Sequence, residues 1–235
     1  TPRQINEALI ETWVDWRRSG RLARVHFACF PEDDDDLLTT AYLMDTAVQA
    51  GLDVVMLDVP DVGWDGVRFV DLDRRRIDAL FKLYPWDWMA EDAFFDHVRP
   101  SGIRVIEPAW RVIASSKALL AVLWELFPGH ENLLPASMTI ESIPAPRVLK
   151  PILGREGANV VIQGSSLAAG STDGPYDSML NVAQAFDPLP EFDGWRPVIG
   201  AWMVNGRPHG VGIREDRSLV TGRQARFVPH AIADH

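Results

Sequence analysis

Val25-His26-Phe27-Ala28-Cys29-Phe30 is a largely apolar run, and the residues on its C-terminal side decide the fold. The acidic stretch Glu32-Asp33-Asp34-Asp35-Asp36 comes next, then Leu37, Ala41, Met44 and Val48 at helical spacing, a stop at Gly51, and a second apolar run from Val54 to Val59. Strand, helix, strand in this order is a βαβ unit, which predicts a parallel sheet. The acidic run suits a helix start, because carboxylates there complement the partial positive charge and cap free N–H groups.

The pattern extends in both directions. Upstream, Ile5, Ala8, Leu9, Trp13 and Trp16 form one stripe of an amphipathic helix that Ser19-Gly20 ends. Downstream, Asp71 to Arg76 is a charged turn, Pro85 stands at the first position of a predicted helix, and Ile103 to Ile106 is a short strand. Ser115 or Ser116 is expected to cap a helix from Lys117 to Phe127, which is apolar nearly all round and so predicted to be buried on most sides. The last third reads differently: Val148 to Leu153 and Asn159 to Gln163 are predicted strands, and Val198 to Val204 and Gly210 to Arg214 flank the hairpin signal Asn205-Gly206. The expected class is therefore α/β (α+β), with an α/β N-terminal region over 1–102 and an antiparallel region over 103–235.

Composition narrows the function classes. With 47% hydrophobic and 24% charged residues the chain is an ordinary globular one. The net charge of −10 opposes a nucleic-acid partner and favours cationic ones. Cys29 is the single cysteine, which excludes an intrachain disulfide and a cysteine-rich zinc site and points to a reducing compartment, the cytoplasm. The longest apolar run, Ala118 to Phe127, contains Glu125 and is too short for a membrane span. The chain opens on Thr1 without an initiator Met, so it reads as a piece of a longer protein.

Several residues could carry chemistry. Lys117 stands at a helix N-terminus, where a cation is disfavoured unless an anion binds beside it; the alternative is a solvated surface lysine. Lys150 interrupts an apolar strand next to Pro151, either protecting a sheet edge or serving a ligand. The glycine-bounded segment Gly154-Arg155-Glu156-Gly157-Ala158-Asn159 is either a tight connection or a phosphate cradle without the Walker pattern. Arg214 and Arg223 suit carboxylate or phosphate contacts, with surface ion pairing as the alternative. Asp35 and Asp36 are either helix-capping carboxylates or a cation site. No histidine pair has metal-ligand spacing, and Cys29 reads as a buried, inert thiol.

Phe81-Lys82-Leu83-Tyr84-Pro85-Trp86-Asp87-Trp88, Glu107-Pro108-Ala109-Trp110, Ser116-Lys117 with Leu123-Trp124-Glu125-Leu126-Phe127-Pro128, Lys150-Pro151 with Gly154 to Asn159, and Gly212-Ile213-Arg214-Glu215-Asp216 stand in a fixed order. Together they resemble the glutathionylspermidine synthase family, in its C-terminal portion. The resemblance implies an ATP-grasp carboxylate–amine ligase that uses ATP and Mg2+, with glutathione and spermidine as the default acid and amine. It makes 1–102 the substrate side and 103–235 the nucleotide-binding region. It also implies that Lys117 and Lys150 contact ATP phosphates, that Gly154, Arg155, Gly157 and Asn159 belong to a loop closing over them, and that Gln184 lies on the adenine side. Arg214 would hold the acyl substrate, Arg223 would lie near ATP, and Asp35 and Asp36 would bind substrate. The family's Glu-x-Asn-x-Asp metal ligands would lie upstream of Thr1, so no metal ligand is expected here. The competing expectation is a noncatalytic nucleotide- or partner-binding module.

Overall fold

The computed structural model describes residues 2–166 and 170–231. The chain divides into two compact units: one runs to Val112 and includes Trp202–Gly210, the other holds Ile113–Ala201 and the chain from Val211 onward.

The first unit contains helices α1 (Pro2–Arg18), α2 (Asp34–Gln49), α3 (Trp86–Met89) and α4 (Phe95–Ser101), with strands β1 (Arg24–Cys29), β2 (Asp53–Asp58), β3 (Gly63–Trp64), β4 (Phe69–Val70), β5 (Ala79–Lys82) and β6 (Arg104–Ile106). Strands β2, β1, β5 and β6 form a four-stranded sheet in that order, parallel throughout, with Phe27 level with Met56 and Phe81. The βαβ reading of 25–59 is thus observed. Its strands are continuous apolar runs because the sheet is covered on both faces. Val25 and Phe27 join Trp13, Leu22, Ala47 and Ala50 in one core cluster. Ala28, Leu57, Phe69, Ile77 and Leu80 make a second. Trp13 ties α1 to α2, its Nε1 donating to Thr46 Oγ1 at 3.0 Å. Asp33 caps α2 by accepting from the backbone N–H groups of Asp35 and Asp36, and Gly51, at φ +79°, follows its end. Strand β6 pairs with β5, so Arg104–Ile106 belongs to this sheet. Pro85 stands one residue before α3 instead of inside it.

Helix α5 (Arg111–Ser115) leads into the second unit, which holds α6 (Ala118–Leu126) and a five-stranded antiparallel sheet. Its strands are β7 (Ala136–Ser137), β8 (Arg147–Pro151), β9 (Val161–Gln163), β10 (Gly170–Ser171) and β11 (Asn181–Ala185), in the order β10-β9-β8-β11-β7. Asn159 is not in β9 as expected, because its φ of +53° is incompatible with a strand. Strands β12 (Arg196–Val204), β13 (Arg207–Asp216) and β14 (Arg226–Val228) form a three-stranded sheet, with Asn205 and Gly206 at φ +47° and +78° in the expected turn.

The expectation that α6 is buried on most sides is corrected. Only Ala121 of this helix is buried; it packs with Ala136 and Val182, while Val122, Leu126 and the following Phe127 are exposed. One sheet covers one face, and a high apolar content says nothing about how many faces are covered. Nor does a serine occupy the N-cap position. Lys117 does, and Ser116 Oγ accepts from the N–H of Ala118 at 3.3 Å.

Candidate functional site

Lys150 lies in β8, which pairs with β9 on one side and β11 on the other. It therefore protects no edge. Across the ladder it is level with Val182, and Gln184 stands two residues further along the same face of β11. Lys150 Nζ donates to Oε1 of the buried Gln184 at 2.7 Å.

Lys117 reaches the same region from the start of α6. Its backbone N–H donates to Ile152 O at 2.7 Å, and its Nζ donates to the carbonyl of Gly154. Burial lowers the Lys117 pKa and the Arg155 guanidinium lowers it further; burial likewise lowers Lys150, with Lys117 adding to the effect. Lys150, Lys117 and Arg155 thus form a run of cations in which burial and the next cation disfavour the charges of the two lysines, while both lysine amines bond to neutral oxygens. Such an arrangement is relieved by an anion.

The Gly154–Asn159 segment is a tied turn. Gly154 N–H donates to Pro151 O and Ala158 N–H to Arg155 O, and Glu156, Gly157 and Asn159 all take positive φ. Gly157 has no room for a side chain, since a Cβ there would stand 2.7 Å from Thr221 O. Thr172 Oγ1 donates to Gly157 O at 2.5 Å and accepts from Val160 N–H. The Asn159 amide anchors the turn's far end, accepting from Tyr176 N–H at 2.9 Å and donating to Asp177 at 2.5 Å. Sequence reasoning missed Thr172 and Asp177, which lie more than ten residues from the turn and carry no local signal.

Arg214 is exposed on β13, level with Phe227 of β14, and Arg223 is exposed in the connection between those strands. Asp216 organises that connection. It accepts from the N–H groups of Ser218 and Gly222, which hold its carboxyl below the usual range.

In the first unit, Asp35 and Asp36 occupy the first turn of α2. Cys29 ends β1 fully buried, and burial pushes its thiol pKa up, with Asp36, Asp58 and Glu32 adding to the shift. The thiol reads as inert, as the sequence suggested. A further cavity lies at the C-terminal ends of the parallel strands; Ala28, Leu80, Lys82, Tyr84, Met89 and Asp92 contribute to its lining. Lys82 Nζ donates to Tyr84 O at 2.6 Å and lies 4.1 Å from the centre of the Trp86 ring, and Tyr84 Oη donates to Asp92 at 2.9 Å. The chain carries one local signal for this cavity, a lysine inside an apolar strand.

Burial lowers Lys82 from 10.5 to about 8, against the pull of Glu107 and Asp87. Between those values the unfolded chain binds a proton that the folded chain does not, so this group makes stability rise with pH across that window, by up to about 1.4 kcal/mol per pH unit. Chemical denaturation at pH 7.5 and 9.5 is expected to show that gain in the parent and to lose it in Lys82→Met. An equal gain in both would contradict the assignment.

The described residues include no group of three or more His, Cys, Asp or Glu side chains able to hold a metal ion. No described helix is long and apolar enough to cross a membrane.

The glutathionylspermidine synthase preATP-grasp family matches residues 3–233. The chain belongs to this family. A Haemophilus influenzae protein named "Putative acid--amine ligase" is 38% identical over 96% of the chain and 61% of its own length. Trypanothione synthetase of Crithidia fasciculata is 29% identical over 90% of the chain and 36% of its own length. The bifunctional glutathionylspermidine synthetase/amidase of Escherichia coli is 26% identical over 91% of the chain and 39% of its own length. The chain thus spans between about a third and three fifths of these relatives. The expectation of a C-terminal portion is corrected: the family region that the chain matches is the preATP-grasp one.

Proposed function

We propose that the protein containing this chain is an ATP-dependent ligase joining a carboxylate to an amine, and that 103–235 supplies nucleotide-binding residues while 1–102 supplies the substrate side. The observation that carries this reading is the convergence of Lys150, Lys117 and Arg155 beside the turn at Gly154. Phosphate oxygens would take the place of the neutral oxygens around the two lysines and neutralise the mutual repulsion. Gln184 holds Lys150 in position for that contact. Gly154 and Gly157 let the backbone approach closely, and Asn159 anchors the turn.

The names of the relatives, an acid–amine ligase and two synthetases, support this reaction class. ATP transfers its terminal phosphoryl group to a carboxylate oxygen, leaving ADP; the amine then attacks the acyl carbon, and phosphate leaves as the amide forms. Positioning and charge neutralisation dominate such a transfer, which is what half-buried lysines provide. In this reading Arg214 and Arg223 approach the acyl and phosphate groups, and Asp35 and Asp36 attract a cationic amine. Glutathione and a polyamine are the default substrates, and a reducing cytoplasm is the default location.

The second reading is a nucleotide-binding module without turnover, in which the lysines around Gly154 hold the nucleotide and no acid or amine reacts. ADP release by the full-length protein, measured against a panel of acids and amines, separates the two. Amine-dependent release is expected for at least one pair. Nucleotide binding with no release from any pair would replace the ligase by the module.

A further inference from the structure

At the N-terminal edge of the parallel sheet lies a second pocket, of about 400 Å³. Arg24 opens β1 and Arg104 opens β6, while Arg21 and Arg76 come from the segments that precede β1 and β5. Asp78 and His26 also line it. A chain of net charge −10 gathers these guanidinium groups in one place, so the local field opposes the overall one.

Only part of that charge is compensated. Arg24 pairs with Asp53 at 2.5 Å, and Arg76 with Asp78 at 2.6 Å. Arg104 donates to the backbone carbonyl of Arg21, which is neutral. Among the described residues neither Arg21 nor Arg104 has a carboxylate within ion-pairing distance.

His26, behind the arginines, is held from the far side by Asp71. Its side chain is 1% exposed, and its Nε2 lies 3.3 Å from Oδ2 of Asp71, the oxygen that also accepts from Arg75 at 2.8 Å. Burial pushes the Asp71 carboxyl up, but the backbone N–H and guanidinium of Arg75, together with His26, hold it below its usual range. Asp71 is therefore ionised and fixes the proton on Nε2. Nδ1 is then an acceptor buried without a hydrogen-bond partner, so the imidazole takes no part in holding an anion and the arginines carry that role.

We infer that this pocket binds a small dianionic oxyanion, a phosphate or a dicarboxylate, with Arg21 and Arg104 as its principal contacts. The volume lies in the range of small-molecule sites, and guanidinium forks match the planar or tetrahedral faces of such anions. The site uses no residue of the cation cluster around Lys150.

Calorimetric titration with inorganic phosphate and with succinate tests it, using the parent chain, Lys150→Ala and the double variant Arg21→Ala/Arg104→Ala. The expected result is saturable binding of at least one anion that survives Lys150→Ala and weakens at least about tenfold in the double variant. The anion that binds more tightly tells phosphate from carboxylate. Both arginines are exposed, and an unchanged near-ultraviolet circular dichroism spectrum checks that the double variant is folded. Saturation by neither anion, or binding lost in Lys150→Ala and retained in the double variant, would overturn the inference.

Discussion

Lys150→Ala should weaken ATP binding about ten- to a hundredfold, the effect of removing a charge-assisted contact worth about 1.5–3 kcal/mol. The expectation rests on the central position of β8 and on the 2.7 Å bond to Gln184, which aims the amine and limits its motion. Two effects oppose each other within the folded protein. Losing the amine relieves repulsion from Lys117 and a burial cost, but it leaves Gln184 Oε1 without its donor. The change in folding stability is therefore small beside the change in binding. Lys150→Met keeps the apolar stem and removes only the charge, so it should weaken binding about as much as alanine does. Calorimetric titration with ATP reads both variants. Unchanged nucleotide affinity in either would detach Lys150 from the nucleotide.

Phe27→Ala should destabilise the first unit by about 3–5 kcal/mol, a large share of the 5–15 kcal/mol typical of a whole domain. Phe27 is fully buried in the middle of β1, with its ring centre 6.0 Å from that of Trp13 and 5.3 Å from that of Phe81. Those contacts come from α1 and β5, so the cavity left by truncation is walled by separate elements that cannot all collapse into it. Denaturant unfolding followed by far-ultraviolet circular dichroism should show a lower midpoint. Amide exchange should accelerate across β1 and its neighbours β2 and β5, and protection should persist in the second unit's sheet. A midpoint equal to the parent's would mean that this aromatic cluster does not hold the unit together.

Both predictions depend on features that differ in how far they can be read from the chain alone. The parallel sheet was legible because its determinants are local and periodic: apolar runs at Val25–Phe30 and Val54–Val59, Asp33 before the helix, and Gly51 after it. The hairpin at Asn205-Gly206 was legible for the same reason, since positive φ at adjacent residues selects those residue types. The candidate cations Lys117 and Lys150 were visible as departures from their surroundings, and Arg155 only as a member of the glycine-bounded segment. Their convergence was not visible, because Lys150 meets Gln184 across 34 positions and Lys117 meets Gly154 across 37. The burial of α6 was misjudged because composition cannot count the faces a neighbour covers.

The amino-acid sequence by itself determined the α/β class, the start and stop of α2, the isolated thiol and the identities of the candidate cations. Each follows from backbone propensity, turn chemistry or hydrophobic period, which act over a few residues. The tertiary structure alone decided that Lys150 is central and not at an edge, that Asn159 anchors a turn through Tyr176 and Asp177, and that arginines from separate segments share one pocket with His26. These depend on strand order and register, which are set by the packing of the whole unit and not by any stretch of the chain.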